Sequence, residues 1–220
     1  MPQLDREGFV VLASALNGDQ LHALERLLPS SAEAAGLRIF GCPELEEWLR
    51  AGPIGKVTCA VLGTNARPVR AILFDKTPSL NWALGWHQDR TIAVRQRLEV
   101  PEFGHWTTKA GVIHVEPPFS IIEDMLTARI HLDEVSETNA PLLVSPGSHR
   151  RGRISEAEIN AVVDQCGSVA CLASRGDVWL YRTAILHSSE SSRSASSRRV
   201  LQVDFSGQEL PGGLEWLGVA

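Results

Sequence analysis

The chain has 220 residues, enough for one substantial core, and carries 21 Lys and Arg against 26 Asp and Glu for a net charge of −5. No long basic run is present to neutralise phosphates, which argues against nucleic acid as a partner. The longest apolar stretches, such as 9–13 and 57–63, fall far short of the roughly 18 to 20 residues that span a bilayer. The acid-rich start lacks the basic and apolar regions of a secretory signal, so the expected compartment is the cytoplasm.

In chain order, residues 8–12 read as a short strand. A helix follows from near Asn17 to Asp19, with Leu21, Leu24, Leu27 and Leu28 on one face. Segments 70–75, 85–94, 125–132, 142–145, 176–181 and 199–205 are rich in Val, Ile, Leu and aromatic residues and bounded by Gly, Pro, Asn or Ser, as strands are. Between them, Ser155-x-x-Glu158 has the form of a capping box, and Ile159, Val162, Val163 and Cys166 repeat at helical spacing before Gly167. Many strands and few helices predict a mainly β protein, a sandwich or barrel with helices packed outside. The division expected within this single domain, residues 1–220, is a helical cover over 1–55 and a barrel core over 56–220. The Ser-rich stretch 188–197 reads as a solvated loop between two strands. Cys42, Cys59, Cys166 and Cys171 contain no C-x-x-C pair and are expected to be reduced thiols. No obligate protein partner is legible.

From 125 to 132 the residues alternate. Leu126, Ala128, Ile130 and Leu132 share one face, and Thr127, Arg129 and His131 the other. The polar face either meets solvent or lines a cavity. In Trp86-His87-Gln88-Asp89, the i, i+2 spacing on a strand sends the imidazole of His87 and the carboxylate of Asp89 to the same side. A further imidazole would complete a 2-His-1-carboxylate triad of the kind that binds non-heme Fe(II) with open positions. His187, at the end of the apolar segment 178–186, is the best placed donor. Alone, His-x-Asp is a weak signal, and its default reading is a structural histidine hydrogen-bonded to the neighbouring carboxylate.

Three ordered blocks sharpen the reading: Trp86-His87-Gln88-Asp89, then Asn139-Ala140-Pro141-Leu142-Leu143-Val144-Ser145-Pro146-Gly147-Ser148-His149, then Gly176-Asp177-Val178 leading to His187 and an arginine on the following strand. Together they resemble the phytanoyl-CoA dioxygenase family over most of the chain. The resemblance implies a double-stranded β-helix, also called a jelly-roll or cupin-like barrel, that uses Fe(II), 2-oxoglutarate and O₂ to oxidise a small-molecule substrate and releases succinate and CO₂. Carried over by position, the iron ligands and catalytic centre are His87, Asp89 and His187.

A dicarboxylate in a barrel needs a fixed cation, and a bidentate guanidinium matches it best. The family places that arginine about eleven residues beyond the distal histidine, at Arg198, with Ser189 as a hydroxyl donor. Arg199 is the rival, since alternation lets only one of the two face inward. Where other members often carry a tryptophan against 2-oxoglutarate, this chain has Arg129, which is expected to reach the co-substrate or a substrate anion. Retention of Asp89 argues for hydroxylation over radical halogenation, which in related enzymes needs that carboxylate vacated.

Segment 95–124 is longer than the corresponding connection in those members. It is expected either to overhang the metal, with Trp106, Lys109 and His114 shaping a substrate pocket, or to be a surface excursion. His149 reads as structural, and Trp216 as a tail residue packed on the barrel. Three other classes stay open: a zinc hydrolase, which also uses two histidines and a carboxylate, a non-catalytic module that binds metal or 2-oxoglutarate, and a purely structural jelly-roll, which predicts no metal-dependent thermal shift.

Overall fold

The computed structural model describes residues 1–29, 36–77, 79–193 and 198–220. Six α-helices and thirteen strands are found among them. The helices are α1 (Pro2–Glu7), α2 (Gly18–Glu25), α3 (Pro43–Ala51), α4 (Pro53–Leu62), α5 (Phe119–Glu123) and α6 (Ile159–Cys166). The strands are β1 (Phe9–Leu12), β2 (Leu37–Ile39), β3 (Arg67–Lys76), β4 (Leu84–His87), β5 (Ile92–Val94), β6 (Gly104–Lys109), β7 (Val112–Glu116), β8 (Leu126–His131), β9 (Leu142–Val144), β10 (Val169–Ala170), β11 (Val178–Arg182), β12 (His187–Ser189) and β13 (Arg198–Ser206). A six-stranded antiparallel sheet runs β1-β11-β8-β13-β3-β2, a four-stranded sheet β10-β9-β12-β4, and a three-stranded sheet β5-β7-β6. This is the expected jelly-roll.

Period-two alternation decides which residues meet which neighbours. Leu126, Ala128 and Ile130 of β8, Leu201, Val203 and Phe205 of β13, and Ala71 and Leu73 of β3 form the outer face of the large sheet. They share a buried cluster with Leu21 and Leu24 of α2, Leu45 and Leu49 of α3, and Ile54 of α4. The other face turns inward. There Trp179 and Tyr181 of β11 pack with Leu142 and Val144 of β9, joining the large sheet to the four-stranded one. The polar side of β8 is therefore interior, and every residue of that strand is buried.

Local chemistry explains the helices. Asn17 caps α2 by accepting the N–H of Gln20 at 2.9 Å, and the Gln20 side chain accepts the Asn17 N–H in return. Proline occupies the first turn of α3 and of α4, where a missing N–H costs nothing. Helix α4 therefore runs to Leu62, past the boundary expected at 55, and the strands of the barrel resume only at Arg67. Strands β1 and β2, placed by sequence in the cover, are members of the large sheet. Ser155 and Glu158 do bond, but in a turn ahead of α6 rather than in its first turn. Gly8 holds φ 86 at the end of α1, where a Cβ would stand 2.4 Å from Nδ1 of His149, so the chain passes that ring only as glycine.

Two expected strands are broken. The segment 85–94 splits into β4 and β5 because Gln88 is withdrawn from the sheet: its buried amide donates to the carbonyls of Gly152 (3.0 Å) and Ala184 (2.7 Å) and accepts the N–H of Ile154 (2.9 Å). The apolar run 178–186 likewise ends as a strand at Arg182. It turns through 183–186 and crosses to the four-stranded sheet, where His187 opens β12. Ser188 and Ser189 are thus strand residues paired with Leu143 and Leu142, not loop. Residues 194–197 of the Ser-rich stretch lie outside the described residues. All four cysteines are free thiols. Among the described residues no helix is long and apolar enough to cross a membrane.

Candidate metal centre and co-substrate pocket

The register of β12 against β4 sets His187 directly opposite His87, with ring centroids 4.3 Å apart. Asp89 comes from the link that Gln88 holds out of the sheet. Its nearness to His87 therefore owes nothing to the strand alternation read from the sequence. One ligand atom from each of His87, Asp89 and His187 lies within 4.8 Å of the others. Both imidazoles are oriented by backbone: Nδ1 of His87 donates to the Gly85 carbonyl (2.8 Å), and Nδ1 of His187 to that of Ile185 (3.0 Å). That fixes the tautomer and leaves each Nε2 free, the arrangement metal-binding histidines take. Ser148 secures this approach. Its hydroxyl accepts the N–H of Leu186 (2.8 Å) and donates to the Ser145 carbonyl (2.7 Å), tying the Pro-Gly-Ser turn to the residue before His187.

Arg70 of β3, unremarked in the sequence, organises the carboxylate. Its Nη2 donates to Oδ2 of Asp89 at 3.1 Å, while Nε donates to Oδ2 of Asp204 at 2.5 Å. Burial works against ionisation of Asp89, but Arg70 and the two imidazoles outweigh it and hold the carboxyl below its ordinary range. Burial and the neighbouring Asp89 charge push Asp204 upward despite Arg70, and Thr127 donates to its second oxygen at 2.9 Å. One oxygen of Asp89 is thereby committed to Arg70 and the other is left for an ion.

Beside this cluster opens a cavity of about 190 Å³. Arg198 lines it, is 2% exposed, and buries its Nε and Nη1 without a hydrogen-bond partner among the described residues. Burial, reinforced by the nearby Arg129 charge, lowers its pKa from the usual arginine range. An unpaired guanidinium in this position fits an incoming carboxylate. Arg199 faces the other way, bonded to Asp133 (2.8 Å) and to Glu25 of α2 (3.1 Å). Ser189 lines the same cavity. Its hydroxyl accepts from Nζ of Lys76 at 2.9 Å, and that ammonium also donates to the carbonyls of Trp82 and Glu190. Arg129 is a buried cavity residue whose Nη1 donates to Gln202 at 2.8 Å and whose guanidinium stands 5.6 Å from the Phe74 ring.

Of the three residues expected from segment 95–124, Lys109 of β6 and His114 of β7 line the cavity, and Trp106 does not. Trp106 packs against the buried cluster that includes Val94, Val115 and Trp216, under the guanidinium of Arg97 at 5.5 Å. Trp106 stands three residues from Lys109 on β6, so strand alternation turns the two to opposite faces. His149 sits in a 3-10 turn (Ser148–Arg151), and Trp216 is buried in the same cluster as Trp106, donating to the Gln208 carbonyl at 2.9 Å.

His131, on the inward face of β8, is buried with both ring nitrogens unpartnered, and burial lowers its pKa from 6.5 to about 3. An unfolded chain takes up this proton near 6.5 while the folded protein refuses it until near 3. The contribution to stability is complete above pH 6.5 and is lost progressively as pH falls toward 3, at about 1.4 kcal/mol per pH unit. Chemical denaturation of His131→Leu should therefore show a shallower loss of stability between pH 6.5 and 4 than the parent. An identical slope would mean that His131 is not the group responsible.

The model of the phytanoyl-CoA dioxygenase family matches residues 55–200. Solved structures with the same fold include EctD from S. alaskensis with bound Fe (19% identity, 100% of this chain and 79% of that one, TM-score 0.70). They also include the non-heme α-ketoglutarate-dependent carbocyclase SnoK from nogalamycin biosynthesis (17%, 93% and 81%, TM-score 0.67) and AviO1 from Streptomyces viridochromogenes Tue57 (20%, 96% and 93%, TM-score 0.64). Among curated proteins, none matches the chain in sequence. With the family model spanning both histidines, the aspartate and the arginine at the cavity, the chain belongs to the phytanoyl-CoA dioxygenase (PhyH) family.

Proposed function

We propose that the protein is an Fe(II)- and 2-oxoglutarate-dependent hydroxylase of a small molecule. The observation that carries this reading is a pair of imidazoles and a carboxylate converging beside an arginine buried without a partner. His87, Asp89 and His187 would hold the metal, three protein ligands that leave positions open. Arg198 would take the distal carboxylate of 2-oxoglutarate, with the Ser189 hydroxyl beside it.

Bound Fe(II) supplies the activation of O₂: one oxygen atom enters a substrate C–H bond as hydroxyl while 2-oxoglutarate becomes succinate and CO₂. The chain's part is orientation. Gly85 and Ile185 carbonyls hold the imidazoles, Arg70 holds Asp89 ionised and in place, and Lys76 aims the Ser189 oxygen. Arg198 and Arg129 supply fixed positive charge inside the barrel, where water screens it least. Since a structural relative, SnoK, is described as a carbocyclase, the family's fold alone does not dictate hydroxylation. The retained Asp89 argues against radical halogenation, which needs that carboxylate vacated, and hydroxylation is the reading proposed here.

The deciding experiment is anaerobic titration of metal-free protein with Fe(II) and then 2-oxoglutarate, following the visible charge-transfer absorption of a chelated keto acid. About one iron per chain and appearance of the band are expected. Stoichiometric metal binding without the band would overturn the reading in favour of a zinc-type hydrolase or a non-catalytic binding module.

A further inference from the structure

Six cationic side chains line the cavity, those of Arg38, Arg70, Lys76, Lys109, Arg129 and Arg198, against one carboxylate, Asp89. Most of that excess has a partner. Arg70 is neutralised by Asp89 and Asp204, Lys76 is tied to two carbonyls and a hydroxyl, and Arg129 is held through Nη1 by the neutral amide of Gln202, with its Nε buried and unpartnered. If Arg198 takes the distal end of 2-oxoglutarate, the chelating end balances charge at the metal. Arg38 and Lys109 then remain, neither with a hydrogen bond or ion pair among the described residues. An exposed lysine without a partner is ordinary. A guanidinium whose Nε is removed from water without one is not; Nε of Arg38 is in that state, as are those of Arg129 and Arg198, but Arg129 is held by Gln202 and Arg198 faces 2-oxoglutarate, whereas Arg38 has neither.

Arg38 lies on β2, in register with Ile72 of β3, whereas Arg198 is in register with Lys76. The two positions are four residues apart along β3, about 13 Å at strand spacing. Electrostatics separate them too: the charge acting on Arg38 is that of Arg70, and the cation acting on Arg198 is Arg129. His114 reports how the cations gather at the Arg38 end. Burial lowers its pKa to about 4, against its hydrogen bond to Val112, and Arg70, Arg38 and Lys109 all push in the same direction as burial. That ring is therefore neutral and adds no charge of its own, while offering no anion to Arg38 either.

From this we infer that the prime substrate carries an oxyanion, a carboxylate or a phosphate, that seats on Arg38 with Lys109 beside it, at the end of the cavity away from Arg198. This deepens the hydroxylase reading and rests on it, because the count of free cations assumes that 2-oxoglutarate occupies Arg198. It predicts that small anionic molecules, rather than neutral or cationic ones, enter the site once the co-substrate is in place.

The test uses protein loaded anaerobically with Fe(II) and saturating 2-oxoglutarate, with the charge-transfer band verifying the load. Acetate and methylphosphonate then serve as minimal probes in calorimetric titration at constant ionic strength, with tetramethylammonium as the cationic control. At least one anion is expected to bind, with affinity reduced about tenfold or more in Arg38→Gln and largely kept in Arg38→Lys. Which of the two binds more tightly separates a carboxylate substrate from a phosphorylated one. Absence of anion binding in loaded protein, or equal binding in Arg38→Gln, would overturn the inference. Failure to form the band is a different result, since it removes the hydroxylase reading before any probe is added. Arg38 is half-exposed on an edge strand, and the load measured on each variant separates a lost subsite from a damaged fold.

Discussion

Replacing His187 with alanine is expected to abolish turnover and to weaken Fe(II) binding by more than the roughly 100-fold that loss of an outer-shell partner costs. The reasoning is geometric. His187 and His87 face one another across β12 and β4, each with Nδ1 held by a backbone carbonyl, so neither ring can swing to compensate for the other. Two ligands, one of them a carboxylate already shared with Arg70, are too few to retain a weakly competing ion such as Fe(II). The fold should survive, because β12 is fixed through Ser148 and its pairing with β9, neither of which uses the imidazole. Anaerobic iron titration alongside far-ultraviolet circular dichroism measures both parts. A folded variant with full iron occupancy and normal turnover would remove His187 from the ligand set.

Arg198→Met should have two effects of opposite sign. Affinity for 2-oxoglutarate is expected to fall about 100-fold or more, since the distal carboxylate would enter an interior site with no cation to meet it. Thermal stability of the ligand-free protein should rise. The guanidinium is buried with two nitrogens unpartnered and another arginine nearby, an arrangement that costs stability until an anion arrives. Even buried ion pairs, when exchanged for apolar side chains of similar volume, are often replaced with a gain of up to about 1–4 kcal/mol, and an unpaired buried charge has less to lose; for a chain of this size the gain is on the order of 5 °C. Arg199→Met gives the contrast: it breaks the bonds to Asp133 and Glu25 and should lower stability slightly while leaving 2-oxoglutarate affinity unchanged. Isothermal titration and melting curves on the two variants check the pair. Unaltered 2-oxoglutarate binding in Arg198→Met would return the co-substrate role to another cation of the cavity.

The barrel was legible because period-two alternation is written locally. Leu201, Val203 and Phe205 against Arg198, Gln202 and Asp204 reads as two faces before any coordinates are known, and so does the split between Leu126 and Thr127 along β8. The same alternation on β3 sets Arg70 and Lys76, six residues apart, on the side of Ile72 and Phe74, the face that turns toward the cavity. Arg38 had no comparable pattern around it. Trp106 departs from the expectation because segment 95–124 reads as a connection rather than as strands; on β6 its odd separation from Lys109 turns the two to opposite faces.

The sequence by itself therefore determined the sheet faces and the His-x-Asp and distal-histidine motifs, each of which is written in residues close in the chain. What only the tertiary structure decided was pairing between distant segments. Register brought His187 to His87 across a hundred residues, Gln88 pulled Asp89 out of its strand, and Arg70 met Asp89 and Asp204. Which of Arg198 and Arg199 faces the cavity was decided in space, with Glu25 and Asp133 pairing Arg199 on the other side. Whether a charge is free or neutralised depends on partners that sequence spacing does not encode, and in this protein the free charges are the ones that point to ligands.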